Sequence, residues 1–231
     1  MSFTFQVEAG KTLRLPTALK VCPQDILITG VDGTGILQYS TSATFPNLNL
    51  FGKKEIQIYM PYLRNAQEMF VPANEANNTV EHITLIGGDT PTLLYCNAMF
   101  NMNWKGGPLK HITFDIDFSK VTYVSNLFNN HSGVVTIDGR PLDFSSIVED
   151  LSFSYMSRLE HIRFAPGTMK RNLSMQSCEK LSDGSIQSVI ESLQDLTGQA
   201  TKNLTFHQSV GDKLTPAQKA TITAKNWTLV Y

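Results

Sequence analysis

The sequence is poor in charge, in cysteine and in long apolar runs, and each shortage removes a class of protein. Only 17% of the 231 residues are Asp, Glu, Lys or Arg, and 19 basic residues against 20 acidic ones leave a formal net charge of −1. A nucleic-acid binder needs a basic stripe to neutralise phosphates, so no nucleic acid is expected as a partner. An apolar share of 42% at so small a net charge also argues against disorder. The three cysteines, Cys22, Cys96 and Cys178, lie far apart, with no CxxC pair and no Cys/His zinc spacing. They are expected to be buried free thiols and not a disulfide framework. No window approaches the ~20 apolar residues of a membrane-spanning helix. The opening Met1-Ser2-Phe3-Thr4-Phe5-Gln6-Val7-Glu8 lacks the basic-then-apolar order of a secretory signal. Synthesis in a cytoplasm without membrane insertion is the expectation.

Catalytic motifs are scarce as well. There is no GxSxG elbow, no HExxH helix and no phosphate loop with its lysine. Gly30-Val31-Asp32-Gly33-Thr34-Gly35 follows a strand pattern, but Ile36-Leu37-Gln38-Tyr39-Ser40-Thr41 after it is not helical. A phosphate cradle needs a helix opening there, so the glycines read as a turn. Asp143, Glu149 and Asp150 form a small acidic cluster. Paired carboxylates can cleave glycosidic bonds, but a solvated face explains these three more simply. No catalytic residue, cofactor or metal is expected.

What the sequence does contain is a recurring strand phrase: Ile56-Gln57-Ile58, His82-Ile83-Thr84-Leu85, His111-Ile112-Thr113-Phe114, Val134-Val135-Thr136-Ile137 and His161-Ile162-Arg163-Phe164. Aligning Ile56, Ile83, Ile112, Val135 and Ile162 gives spacings of 27, 29, 23 and 27 residues, the range of a stacked-repeat solenoid. A second marker keeps step: Asn65-Ala66-Gln67-Glu68-Met69-Phe70, Asn97-Ala98-Met99-Phe100, Asn126-Leu127-Phe128. One such unit cannot bury its apolar side alone, whereas stacked neighbours make a continuous core. Alternation sends Ile83, Leu85, Ile112 and Phe114 inward and His82, Thr84, His111 and Thr113 outward.

The ends differ from this middle. Residues 1–45 read as a small all-β element, from the alternation of Phe3, Phe5 and Val7, the pair Leu13 and Leu15 before Pro16, and the strand Asp25-Ile26-Leu27-Ile28-Thr29. Residues 46–180 hold the repeats. In 181–231, Ser182 caps a helix whose apolar residues are Ile186, Val189, Ile190, Leu193 and Leu196, with Gly198 placed to end it. A strand at Leu204-Thr205-Phe206 follows. Thr215-Pro216-Ala217-Gln218 then starts a second helix, and Trp227-Thr228-Leu229-Val230 is the last strand. This tail is a natural cap for the final apolar edge.

The repeat phrases resemble the BspA-type leucine-rich repeats of bacterial surface and phage proteins, with Ile, Phe and Met where leucine is commoner. The closest match is the closing stretch: Leu181-Ser182-Asp183-Gly184-Ser185-Ile186 through Leu196-Thr197-Gly198, then Lys202-Asn203-Leu204-Thr205-Phe206, Lys213-Leu214-Thr215 and Lys225-Asn226-Trp227-Thr228. Gly10-Lys11-Thr12-Leu13-Arg14-Leu15-Pro16-Thr17-Ala18 followed by Cys22-Pro23-Gln24-Asp25-Ile26-Leu27-Ile28-Thr29 resembles a segment of phage and prophage tail proteins. Together these resemblances imply an α/β solenoid of degenerate leucine-rich repeats. They imply a non-enzymatic virion structural protein at the tail tip, baseplate or fibre, assembled in the host cytoplasm and oligomeric in the particle. Its partners would be other tail proteins, through residues 1–45, and a bacterial surface protein or glycan. The rivals are a bacterial surface adhesin, which predicts a signal or anchor, and a glycan-acting enzyme.

The expected partner face is the exposed strand surface: Gln57, Tyr59, His82, Thr84, His111, Thr113, Asp115, Thr136, His161 and Arg163. Within it His82, His111 and His161 share a repeat position, interrupted by Val134, and Thr84, Thr113 and Thr136 form a second column. Adjacent imidazoles can bind zinc or nickel, but a consensus residue on a solvated face is the preferred reading. Trp104, beside Lys105-Gly106-Gly107, is the alternative contact for carbohydrate or protein.

Overall fold

The computed structural model describes strands at 2–5, 11–13, 26–31, 35–39, 48–50, 57–59 and 82–86, and then residues 94–97, 109–128 and 131–231. The early strands are β1 (Ser2–Phe5), β2 (Lys11–Leu13), β3 (Ile26–Val31), β4 (Gly35–Tyr39), β5 (Leu48–Leu50) and β6 (Gln57–Tyr59). After them come β7 (His82–Ile86), β8 (His111–Asp115), β9 (Thr136–Gly139), β10 (Leu151–Ser152) and β11 (Leu173–Met175). The tail adds α1 (Asp183–Ser192), β12 (Lys202–Phe206), α2 (Gln208–Gly211), α3 (Pro216–Ala224) and β13 (Trp227–Val230).

One sheet runs β4-β3-β6-β1-β7-β8-β9, and its character changes along the way. From β4 to β7 every pairing is antiparallel, while β7, β8 and β9 are parallel. A further parallel bridge joins Thr136 to His161. Parallel neighbours need a long crossover, and the 24 and 20 residues between β7 and β8 and between β8 and β9 supply it. A second sheet, β10-β11-β12-β13, is parallel throughout.

The register differs from the sequence alignment in two places. Ile112 stands opposite Ile137, and His111 opposite Thr136, so the fourth phrase is shifted by two residues. Val134-Val135-Thr136-Ile137 offers two alternation frames of similar apolar content. The frame chosen leaves Val134 fully buried at a turn, its N–H bonded to the His131 carbonyl at 3.3 Å. The register row is Ile83, Ile112, Ile137 and Ile162, with spacings of 29, 25 and 25 residues, and the last three are buried in the core. The second difference concerns the first phrase. β6 pairs antiparallel with β1 and β3, and β1 lies between β6 and β7, so that phrase is not the stacking neighbour of His82-Ile83-Thr84-Leu85. Ile56, Asn65–Phe70, Met99, Phe100 and the boundary at 45/46 lie outside the described residues.

The core is phenylalanine-rich. Phe114, Phe118, Phe144, Phe164, Phe153 and Phe128 touch in that order and close a ring, with centroid separations of 5.0, 5.7, 6.0, 5.9, 5.1 and 5.9 Å. Four of the six contacts are edge-on, the geometry the ring quadrupole favours. Leu127 and Phe128 close the wall as the second sequence marker indicated, both fully buried. Outside the core, a short phrase sets the turns. Asp117 accepts from Ser119 N–H at 2.7 Å, Asp143 from Ser145 N–H at 2.9 Å and Asp195 from Thr197 N–H at 2.9 Å.

At the end of the first sheet α1 takes the place of the next strand. Ser185 Oγ accepts the Ile162 N–H at 3.0 Å and donates to the Glu160 carbonyl at 2.8 Å, and Ser188 Oγ accepts the Phe164 N–H at 2.9 Å. Serines three apart on one helix face therefore satisfy the edge amides of Ile162 and Phe164, beside a single backbone bond from Ser182 N–H to the Glu160 carbonyl at 2.9 Å. α1 starts on Ser182 as expected but ends at Ser192, six residues before Gly198. Leu193 leaves the helix to bridge Met169, and Lys225 Nζ donates to the carbonyls of Ile190, Glu191 and Leu193. Gly198 sits in the following turn at φ +78°. Thr215 and Gln218 form both halves of a capping box at the start of α3.

Candidate functional site

Register fixes which candidates stand side by side. The first row on the outer face of the parallel strands is His82, His111, Thr136, His161. Thr136, and not Val134, interrupts the histidines, and it belongs to this row and not to the threonines. The second row is Thr84, Thr113, Asp138. The His82 and His111 rings lie 5.7 Å apart, tilted by 60°. His82 Nε2 is 3.0 Å from Thr113 Oγ1 and 3.4 Å from Thr84 Oγ1. The two threonines are therefore linked through an imidazole, and that nitrogen is engaged in the row. Among the described residues no three His, Cys, Asp or Glu side chains are placed to hold a metal ion.

The lower part of this face is tied by charge. Arg140 Nε donates to Asp115 Oδ1 at 2.6 Å, and Arg163 donates to the Gly139 carbonyl at 2.6 Å. Both members of the ion pair are about half exposed, where such a pair contributes ~0.2–1 kcal/mol. Gly139 is at φ +92°, and a Cβ there would lie 2.2 Å from the Phe114 carbonyl oxygen, so only glycine allows this approach. The other candidates fall elsewhere. Gln57 and Tyr59 are on β6, two strands from β7, with Gln57 and Thr84 on opposite sides of Thr4 in register. Trp104 lies outside the described residues.

The acidic trio is spoken for. Glu149 Oε2 accepts Val124 N–H, Ser125 N–H and the Ser125 hydroxyl at 3.0, 3.0 and 2.6 Å. Asp150 accepts the backbone and side-chain N–H of Asn172, and Asn172 Oδ1 in turn accepts Asn203 N–H at 2.8 Å. Asp143 closes its own turn. These carboxylates bridge neighbouring segments or close turns where backbone pairing stops. Cys96 and Cys178 are free and fully buried, and burial pushes both thiols well above their usual range, away from the reactive thiolate. Cys22 lies outside the described residues. No helix among the described residues is long and apolar enough to cross a membrane.

One concavity escapes a sequence reading centred on the strand face. A groove of about 610 Å³ opens where the second sheet meets its turns, lined by Ser132, Tyr155, Ser157, Gln176, Ser177, Glu179 and His207. Each lining stretch follows an inward-facing core residue, Phe153, Met175 or Phe206. Phe153-Ser154-Tyr155-Met156 repeats the burial pattern of Val124-Ser125-Asn126-Leu127. Asn126 and Tyr155 both take positive φ, +57° and +62°. Asparagine tolerates that conformation and tyrosine rarely adopts it. Tyr155 is 59% exposed. His207 caps α2, its Nδ1 accepting Ser209 N–H at 3.2 Å, which assigns the ring proton to Nε2. The sequence signal, an aromatic residue where the preceding segment has Asn126, becomes visible only once the segments are aligned. Comparison with protein-family models, with curated proteins and with solved structures finds no match to this chain.

Proposed function

We propose that this chain is a non-enzymatic structural and binding protein of a phage or prophage tail, built as a solenoid of degenerate leucine-rich repeats that presents a polar face to a protein or host-surface partner. The observation that carries the proposal is the parallel ladder of β7, β8, β9 and His161, which repeats one phrase at 25–29 residues over a continuous apolar core. Arrays of this kind bind along such faces. The resemblance of residues 10–29 to tail proteins supplies the particle, and residues 1–45 would dock the chain to it or to sister subunits. Tail components are commonly symmetric, so the chain is expected to act as a homo-oligomer. Glu149 and Asp150 bridge neighbouring segments and Asp143 closes a turn, which favours a structural role for the acidic trio.

Imaging of intact particles carrying a labelled version tests the assignment. A variant with residues 11–50 replaced by a flexible linker keeps β1, which pairs with β7, and is expected to fold yet be missing from particles. Normal incorporation refutes the docking role, and absence of the full chain from particles refutes the assignment itself.

A further inference from the structure

We propose that the groove between Tyr155 and His207 binds a neutral hexopyranose unit of a polysaccharide, with the Tyr155 ring as the stacking platform. Three observations converge on it. The first is size: about 610 Å³ falls within the ~300–1,000 Å³ of small-ligand sites and admits more than one sugar ring. The second is chemistry. The lining offers hydroxyls from Ser157 and Ser177, an amide from Gln176, a carboxylate from Glu179 and the His207 imidazole, with no lysine or arginine. Groups that both donate and accept suit vicinal hydroxyls. A lone carboxylate without a cation repels sialyl, sulfo and phospho groups.

The third is the cost of Tyr155. Tyr155, more than half exposed and at φ +62° where the preceding segment has Asn126, holds a backbone conformation that asparagine adopts more cheaply. It does give the groove a rigid, amphipathic wall with two χ angles to immobilise. The frame behind it is fixed: Phe153 lies in the phenylalanine ring, and Ser209 anchors the His207 turn by donating to the Glu179 carbonyl at 3.1 Å. The inference does not depend on the particle role.

The test uses the full chain and saturation-transfer NMR against soluble neutral oligosaccharides: α- and β-glucans, galactans, mannans and N-acetylglucosamine oligomers, with sialyllactose and a heparin hexasaccharide as anionic probes. At least one neutral series is expected to bind. Tyr155→Asn should weaken that binding at least tenfold while the thermal midpoint holds or rises, because asparagine relieves the positive φ. Gln176→Ala, at an exposed position, should weaken binding severalfold with the midpoint unchanged. The proposal is overturned if no neutral series binds, if the anionic probes bind better, or if affinity survives Tyr155→Asn.

Discussion

Replacing Ser185 by alanine isolates the device that ends the first sheet. Ser185 is 4% exposed and Ile162 1%. The serine hydroxyl is the acceptor that the structure assigns to the Ile162 N–H. Alanine strands that donor, which costs ~1–3 kcal/mol. The Glu160 carbonyl loses one donor but keeps Ser182 N–H at 2.9 Å, so no second group is orphaned. Alanine recovers up to ~0.5 kcal/mol of helix propensity. The net expectation is a loss of ~0.5–2.5 kcal/mol. Ser192 in the same helix is the control. It is fully buried, but its hydroxyl only donates back to the Val189 carbonyl at 2.7 Å, so Ser192→Ala strands no donor and should stay within ~0.5 kcal/mol. Urea denaturation of both variants reads the difference as a midpoint shift at unchanged slope, and hydrogen exchange should show the Ile162 amide losing protection in Ser185→Ala alone. Equal stabilities for the two variants would refute the edge-capping account.

Other substitutions probe the remaining elements. Phe144→Ala opens the phenylalanine ring and should cost ~3–5 kcal/mol in the same assay. Gly139→Ala meets both a positive φ and the Phe114 carbonyl, for an expected loss of at least ~1–3 kcal/mol, whereas Arg140→Ala, which removes the half-exposed ion pair, should cost under ~1 kcal/mol. The Thr197 hydroxyl and then its N–H hold the Asp195 carboxyl below its usual range, so Thr197→Val should raise the Asp195 titration midpoint in carboxyl-carbon NMR. A carboxyl lowered by folding stabilises above its unfolded pKa and loses that contribution as pH falls through the folded value; the wild type should therefore lose more stability than Thr197→Val between neutral pH and strong acid.

Strand and helix positions were legible where one pattern had no competitor. The phrases at His82, His111 and His161 carry a single inward frame, and all three pair as that frame requires. The capping box at Thr215 is likewise local, two side chains answering two amides three residues apart in one turn. Val134-Val135-Thr136-Ile137 was not legible, because four residues of high β propensity fit either frame and only stacking on Lys110 decides: the Val135 and Thr136 N–H groups both go to its carbonyl. The early end of α1 was hidden for the same reason. The last helical turn is given up to Met169 and Lys225, residues that sequence spacing does not connect. The carboxylates looked like a cluster because they are close in sequence, yet each reaches a different amide. The groove was invisible because its residues come from four separated stretches, 132, 155–157, 176–179 and 207.

Side-by-side stacking of successive segments is open to direct test by cysteine pairing across the first row. His111 and Thr136 are register partners on adjacent parallel strands, within the ~4.4–6.8 Å Cα separation that a disulfide spans. Under mild oxidation His111→Cys with Thr136→Cys should crosslink, and His111→Cys with Val134→Cys should not, as read by mass spectrometry of the digested chain. Crosslinking through position 134 in place of 136, or through neither, would contradict the stacked register.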